Sequence, residues 1–140
     1  MSGGSDAKNF SILIVDDENS NIMALSHILS SDYTLYAAKS GQSAIDAASK
    51  YLPDIILLDI IMPDMDGYDV LSVLKKQEKT RNIPVIFVTG LSSPDDEEKG
   101  MTLGVSDYIS KPFSSAIVKL RVLNQIKIIV LERLLQESKG

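Results

Sequence analysis

Asp16 and Asp17, Asp59, Thr89 and Lys111 each stand at the end of a short apolar run, although they are spread over most of the chain. Brought together, they make a set of three carboxylates, one hydroxyl and one ammonium. Such a set has little structural use, because two unpaired unit charges about 4 Å apart repel by roughly 4 kcal/mol at an effective dielectric of about 20. A hard divalent cation offsets the repulsion, and Mg²⁺ characteristically takes one or two carboxylates together with waters and a phosphate oxygen. The residue types therefore point to Mg²⁺ and a phosphoryl group carried on Asp59. Taken singly, each has a plainer reading: Asp16 and Asp17 as helix caps, Thr89 as a β-branched strand residue, Lys111 as a surface lysine. Their shared placement at the ends of apolar runs outweighs those readings.

The elements that would position them are legible as alternating patterns. Segments 11–15, 33–37, 54–59, 83–89 and 107–110 read as strands, and Ile12–Val15, Ile55–Leu58 and Val85–Val88 are continuously apolar, as strands covered on both faces should be. Between them, Ile22, Leu25, Ile28 and Leu29 recur at helical spacing, Ser40 can cap a helix carrying Ala44, Ala47, Ala48 and Tyr51, and Tyr68, Leu71 and Leu74 mark a third. This βαβα order predicts a three-layer, doubly wound α/β fold with a five-stranded parallel sheet, five helices and ligands at the carboxyl ends of the strands.

Composition bounds the function. The 140 residues, 44% hydrophobic and 24% charged, suit one domain with a real core. Residues 1–9 read as a disordered leader, 10–124 as the domain and 125–140 as an extension of its last helix. Cysteine is absent and nothing resembles a signal peptide or a membrane span, so a cytoplasmic protein is expected. A net charge of -5 argues against nucleic-acid contacts by this domain and favours a protein partner or a metal. His27 falls opposite the apolar face of its helix and reads as solvated. Asp64-Met65-Asp66-Gly67 has the wrong ligand spacing for a calcium loop and reads as a turn, with Asp66 capping the helix that follows.

Four local sequences together carry a family resemblance: Ile14-Val15-Asp16-Asp17-Glu18-Asn19, Leu58 to Gly67, Val88-Thr89-Gly90, and Tyr108-Ile109-Ser110-Lys111-Pro112-Phe113. In this order they resemble the receiver domains of two-component response regulators. The resemblance implies a flavodoxin-like strand order 2-1-3-4-5 and a cis peptide at Lys111-Pro112. It implies that Asp59 is the phosphoacceptor and takes its phosphoryl group from a histidine kinase or phosphotransfer protein. Asp17 and Asp59 would hold Mg²⁺ directly with the Ile61 carbonyl, Asp16 largely through water, while Lys111 and Thr89 would take phosphoryl oxygens. Thr89 and Tyr108 would form the switch, altering the surface of the last strands and helices. Such a domain acts on itself and is no turnover enzyme. The competing function is a phosphorylation-independent pseudo-receiver that serves only for docking.

Two features set this chain apart within that pattern. The positions two after the phosphoacceptor and two after the threonine flank the path of the hydrolytic water, and here they are Ile61 and Leu91. Both are bulky and apolar, which predicts slow self-dephosphorylation. Helix-favouring sequence also continues from Ser114 to Gln136, with Arg121, Gln125, Glu132 and Gln136 as a polar stripe and apolar residues over much of the remaining circumference. This predicts a linker helix to an output domain or a homodimer seam, in preference to a helix folded back on its own domain.

Overall fold

The computed structural model describes residues 9–90 and 94–139. Its elements alternate as β1 (Ser11–Val15), α1 (Asn19–Leu29), β2 (Thr34–Ala38), α2 (Gly41–Tyr51), β3 (Ile55–Leu58), α3 (Gly67–Lys76), β4 (Val85–Thr89), α4 (Pro94–Leu103), β5 (Asp107–Ser110) and α5 (Ser115–Lys139). Among the described residues the strands form one sheet of order β2-β1-β3-β4-β5, with every pairing parallel. This is the predicted architecture.

The pleat explains why the central strands are apolar throughout. Leu13, Val15, Ile56, Leu58, Val85 and Phe87 point to one face and pack on Ala44, Ala48, Val70, Leu71 and Leu74 of α2 and α3. Ile12, Ile14, Ile55, Leu57, Ile86 and Val88 point to the other and pack on Leu25, Leu29, Val118, Val122 and Ile126 of α1 and α5. Both faces are covered, so neither needs polar residues. The edge strand β2 is buried only in part.

The strand ends differ slightly from the sequence expectation, for identifiable reasons. Strand β4 begins at Val85 instead of Ile83 because Pro84 has no N–H to give the ladder, although its carbonyl still accepts from Ile56 N at 3.0 Å. Helix caps follow the sequence: Ser40 Oγ accepts from Ser43 N, Asp66 Oδ1 accepts from Asp69 N, and both belong to capping boxes. His27 is exposed.

The last helix buries part of its polar stripe. Gln125 is only 7% exposed and sits on the domain side with Val118, Val122 and Ile126. Arg121 Nε lies 3.8 Å from Asp107 Oδ2, and Glu132 lines a groove of about 310 Å³ with Asn82, Pro84 and Ser106. Further along, Arg133 Nη2 donates to Asp54 Oδ1 at 3.0 Å while its guanidinium lies over the Phe10 ring. Asp54 in turn accepts from Ser11 N at 2.8 Å. The base of the sheet presents the carboxylates of Asp54 and Asp107, which Arg133 and Arg121 approach, while Leu120, Leu131, Leu134 and Leu135 are exposed. The helix therefore lies along its own domain as far as Arg133.

Candidate functional site

Parallel strands end with their last carbonyls and the next residue's side chain at one rim, and here the ladder continues past the strand ends. Asp59 N donates to Val15 O at 3.0 Å and Lys111 N to Thr89 O at 2.9 Å. These bonds carry Asp16, Asp59 and Lys111 to the same rim, and Asp17 follows in the turn to α1. The carboxylate oxygens of Asp16, Asp17 and Asp59 come within 4.8 Å of one another, with Asp17 exposed and the other two buried.

Lys111 brings positive charge to this group. Its Nζ donates to Asp16 Oδ2 at 3.0 Å and lies 3.5 Å from Asp59 Oδ2. The other Asp16 oxygen accepts from Glu18 N at 2.9 Å, so Asp16 both turns the chain into α1 and anchors the lysine. One ammonium for three carboxylates leaves an excess of negative charge. Burial is the largest influence on Asp59 and pushes its pKa up; Asp16 adds to this, while Lys111 and the Ile61 N–H pull the other way without cancelling it. For Lys111, burial alone would lower the pKa, but the hydrogen bond to Asp16 and the charges of Asp59 and Asp16 outweigh it and raise it. Oxygen donors this close, with surplus charge and one carboxylate open to solvent, suit a hard divalent cation.

Around the carboxylates, the loop from Asp59 to Gly67 is held tightly. Ile60 and Met62 are buried, whereas the Ile61 side chain is 61% exposed at the rim. Gly67 N donates to Ile60 O at 2.6 Å, and a Cβ on Gly67 would stand 2.7 Å from Asp59 O. Thr89 is buried at the end of β4 beside Ser110. Leu91 lies outside the described residues. The Lys111-Pro112 peptide is cis, as expected.

Tyr108, expected as a switch aromatic, reaches back to α4, where its hydroxyl donates to the carbonyls of Asp96 at 3.1 Å and Glu97 at 2.9 Å. Its ring meets the edge of Phe87, which meets Tyr68 in turn, and the Tyr68 hydroxyl also reaches Asp96 O at 3.4 Å. In the sequence Tyr68 reads only as an apolar helix position, since its hydroxyl partner is 28 residues away. Asp64 reads there as a turn residue; in the structure both its oxygens accept from the N-terminus of α2, at Gly41 N (2.9 Å) and Gln42 N (3.0 Å).

Comparison with known proteins places the chain clearly. The family model described as "Response regulator receiver domain" matches residues 12–123. A protein named "Probable cyclic di-GMP phosphodiesterase" from Vibrio cholerae is 45% identical over 117 residues, covering 84% of this chain and 26% of that protein. "Response regulator PleD" of Caulobacter vibrioides is 37% identical over 132 residues, covering 92% of this chain and 29% of the relative. The chain thus spans less than a third of the length of these curated relatives. Among solved structures, a Francisella response regulator receiver domain superposes with a TM-score of 0.80 at 29% identity, covering 86% of this chain and 99% of that one.

Proposed function

Because the chain belongs to the response regulator receiver domain family, we propose that Asp59 accepts a phosphoryl group from a phosphohistidine on a histidine kinase or phosphotransfer protein. The observation that supports this best is the clustering of the Asp16, Asp17 and Asp59 carboxylates, with Lys111 paired to Asp16 and Asp59. A carboxylate oxygen of Asp59 attacks phosphorus, the P–N bond breaks, and the imidazole leaves with the electron pair, so that an acyl phosphate forms on Asp59. Asp17, Asp59 and the Ile61 carbonyl would hold Mg²⁺, with Asp16 acting mainly through water, and the ion would supply positive charge to the phosphoryl oxygens. Lys111, already 3.5 Å from Asp59, neutralises one phosphoryl oxygen, and the Thr89 hydroxyl donates to another. The test is incubation with Mg²⁺ and a small-molecule phosphodonor, followed by mass mapping. Modification at Asp59 is expected; modification elsewhere, or none, overturns the assignment.

The readout is a population shift. Thr89 moving toward the phosphoryl group leaves space that Tyr108 fills, which costs its two hydrogen bonds to α4 and changes the surface of β4, α4, β5 and α5. The signal leaves through α5, toward an output domain or a second copy of the chain. Among the described residues no helix is long and apolar enough to cross a membrane, and the cytoplasm, where the phosphohistidine donor resides, is the compartment that fits this role.

The lifetime of the phosphoryl group follows from the rim. Ile61 puts an exposed apolar side chain beside the phosphoacceptor, and its sequence counterpart two residues after Thr89 is the equally apolar Leu91. The double variant Ile61→Asn with Leu91→Glu should lose its phosphoryl group several-fold faster than wild type, because polar side chains can orient that water. Decay of phospho-Asp59 measured after donor removal checks this, and equal rates would rule out the apolar gate.

A further inference from the structure

The phosphoacceptor loop is anchored on a neighbouring helix of the same rim, where the end of β2 accepts from Asp16 N at Ala38 O (3.2 Å) and the chain turns into α2. Asp64, three residues past Ile61, uses both carboxylate oxygens to accept from Gly41 N (2.9 Å) and Gln42 N (3.0 Å), the first two N–H groups of α2. These are groups that a helix cannot satisfy internally. The next residue, Met65, reinforces the contact: its side chain fills the space that a Cβ on Gly41 would need, so the loop and α2 meet face to face. At its other end the loop is closed by Gly67 N on Ile60 O and by the Asp66 capping box. Between these fixed points lie the buried side chains of Ile60 and Met62, and between those two is the Ile61 carbonyl.

We propose that Asp64 is a positioning residue for the divalent cation: by clamping the loop onto the N-terminus of α2, it holds the Ile61 carbonyl in the place where it completes the site of Asp17 and Asp59. This rests on the reading of Ile61 O as a ligand given above. Asp64 touches neither cation nor phosphoryl group and acts entirely through the loop. A cation with strict geometry responds to a ligand displaced by a fraction of an ångström, and groups outside the ligand set that orient ligands typically change metal affinity ten- to a hundredfold. Asp64 works through backbone, one step further out, so a weakening of about three- to tenfold is expected. Linkage makes the effect reciprocal. If the clamp favours the ion, the ion favours the clamp, and Mg²⁺ binding should slow hydrogen exchange at Gly41 and Gln42, on a helix that contributes no ligand.

The experiment compares Mg²⁺ dissociation constants of the intact chain by calorimetric titration in wild type, Asp64→Ala, Asp64→Asn and Ser40→Ala. Ser40 Oγ caps the same helix end through Ser43 N but does not touch the loop, so Ser40→Ala weakens α2 without releasing the clamp. The expected result is a three- to tenfold weaker Mg²⁺ constant in Asp64→Ala, partial recovery in Asp64→Asn, and no change in Ser40→Ala. Slower exchange at Gly41 and Gln42 in wild type on adding Mg²⁺ is the second expected signature. An unchanged constant in Asp64→Ala, or an equal loss in Ser40→Ala, overturns the clamp while leaving the metal site standing. No Mg²⁺ binding by wild type overturns both.

Discussion

Asp59→Asn protein, given Mg²⁺ and a phosphodonor, should take up no phosphoryl group under conditions that label the wild type to completion. The amide nitrogen is not a nucleophile, and neither neighbouring carboxylate shares the surroundings of Asp59: Asp16 is tied to Lys111 and Glu18 N, and Asp17 is exposed. The same variant should also be more stable than wild type at neutral pH in buffer free of divalent ions. Asp59 has a folded pKa raised above its unfolded value, chiefly by burial, so the folded state holds the proton more tightly. Wild-type stability then falls as pH rises from the ordinary carboxylate range through the raised folded pKa, and stays low above it. The amide introduced by the substitution does not titrate and escapes this loss. The stability gap should therefore close as the pH is lowered toward the unfolded pKa, and Mg²⁺ should narrow it from the other side by stabilising only the wild type appreciably. Chemical denaturation of both proteins across pH, with and without Mg²⁺, measures this. A variant less stable than wild type at pH 7 without Mg²⁺ would contradict the charge-crowding account of the site.

Gly67→Ala should cost about 3 kcal/mol, toward the upper end of the usual penalty for forcing a methyl group into filled space. The new Cβ would stand 2.7 Å from Asp59 O and 2.8 Å from Ile60 Cα, and both neighbours are backbone that no rotamer change can move aside. Relief has to come from shifting α3 or the phosphoacceptor peptide itself, so phosphoryl uptake should fall together with stability. Gly90→Ala is the matched control, because nothing lies within 4 Å of its Cβ. Urea midpoints and uptake rates of the two variants should differ sharply, and similar values for both would mean that the close approach at Gly67 is not structurally demanding.

What could be read in the sequence was set by local pattern. The sheet and the meeting of Asp16, Asp17, Asp59 and Lys111 at its rim follow from apolar runs whose lengths and ends are visible residue by residue. The caps at Ser40 and Asp66 follow from side chains three residues from their partners. Side-chain contacts that no strand end or cap position marks left no such trace. The Asp64 clamp joins positions 23 apart, the Tyr68 hydroxyl finds Asp96, and Arg133 finds Asp54 across 79 residues. The burial of Gln125 was not legible either, because a helical wheel shows which residues share a face but not what that face meets. At the base of the sheet Asp107 and Asp54 meet Arg121 and Arg133, and the leucines of the distal half stay outside.

The last helix has a further property, one of torsion. From Ser115 to Lys139 it contains neither proline nor glycine and runs for 25 residues, about 37 Å at the usual rise. Such a rod twists as a unit, and it is fastened near one end by Val118 and Val122 and near the other by Arg133 on Asp54. A single residue inserted after Gln125 would turn everything beyond it by about 100° and lengthen it by about 1.5 Å, swinging Arg133 off Asp54 and bringing a different side of the distal half against the domain. Four inserted residues would bring the faces nearly back into phase, one turn further out. The molecule therefore carries angular information along its last helix, and the pairing of Arg133 with Asp54 is the mark that shows where zero lies.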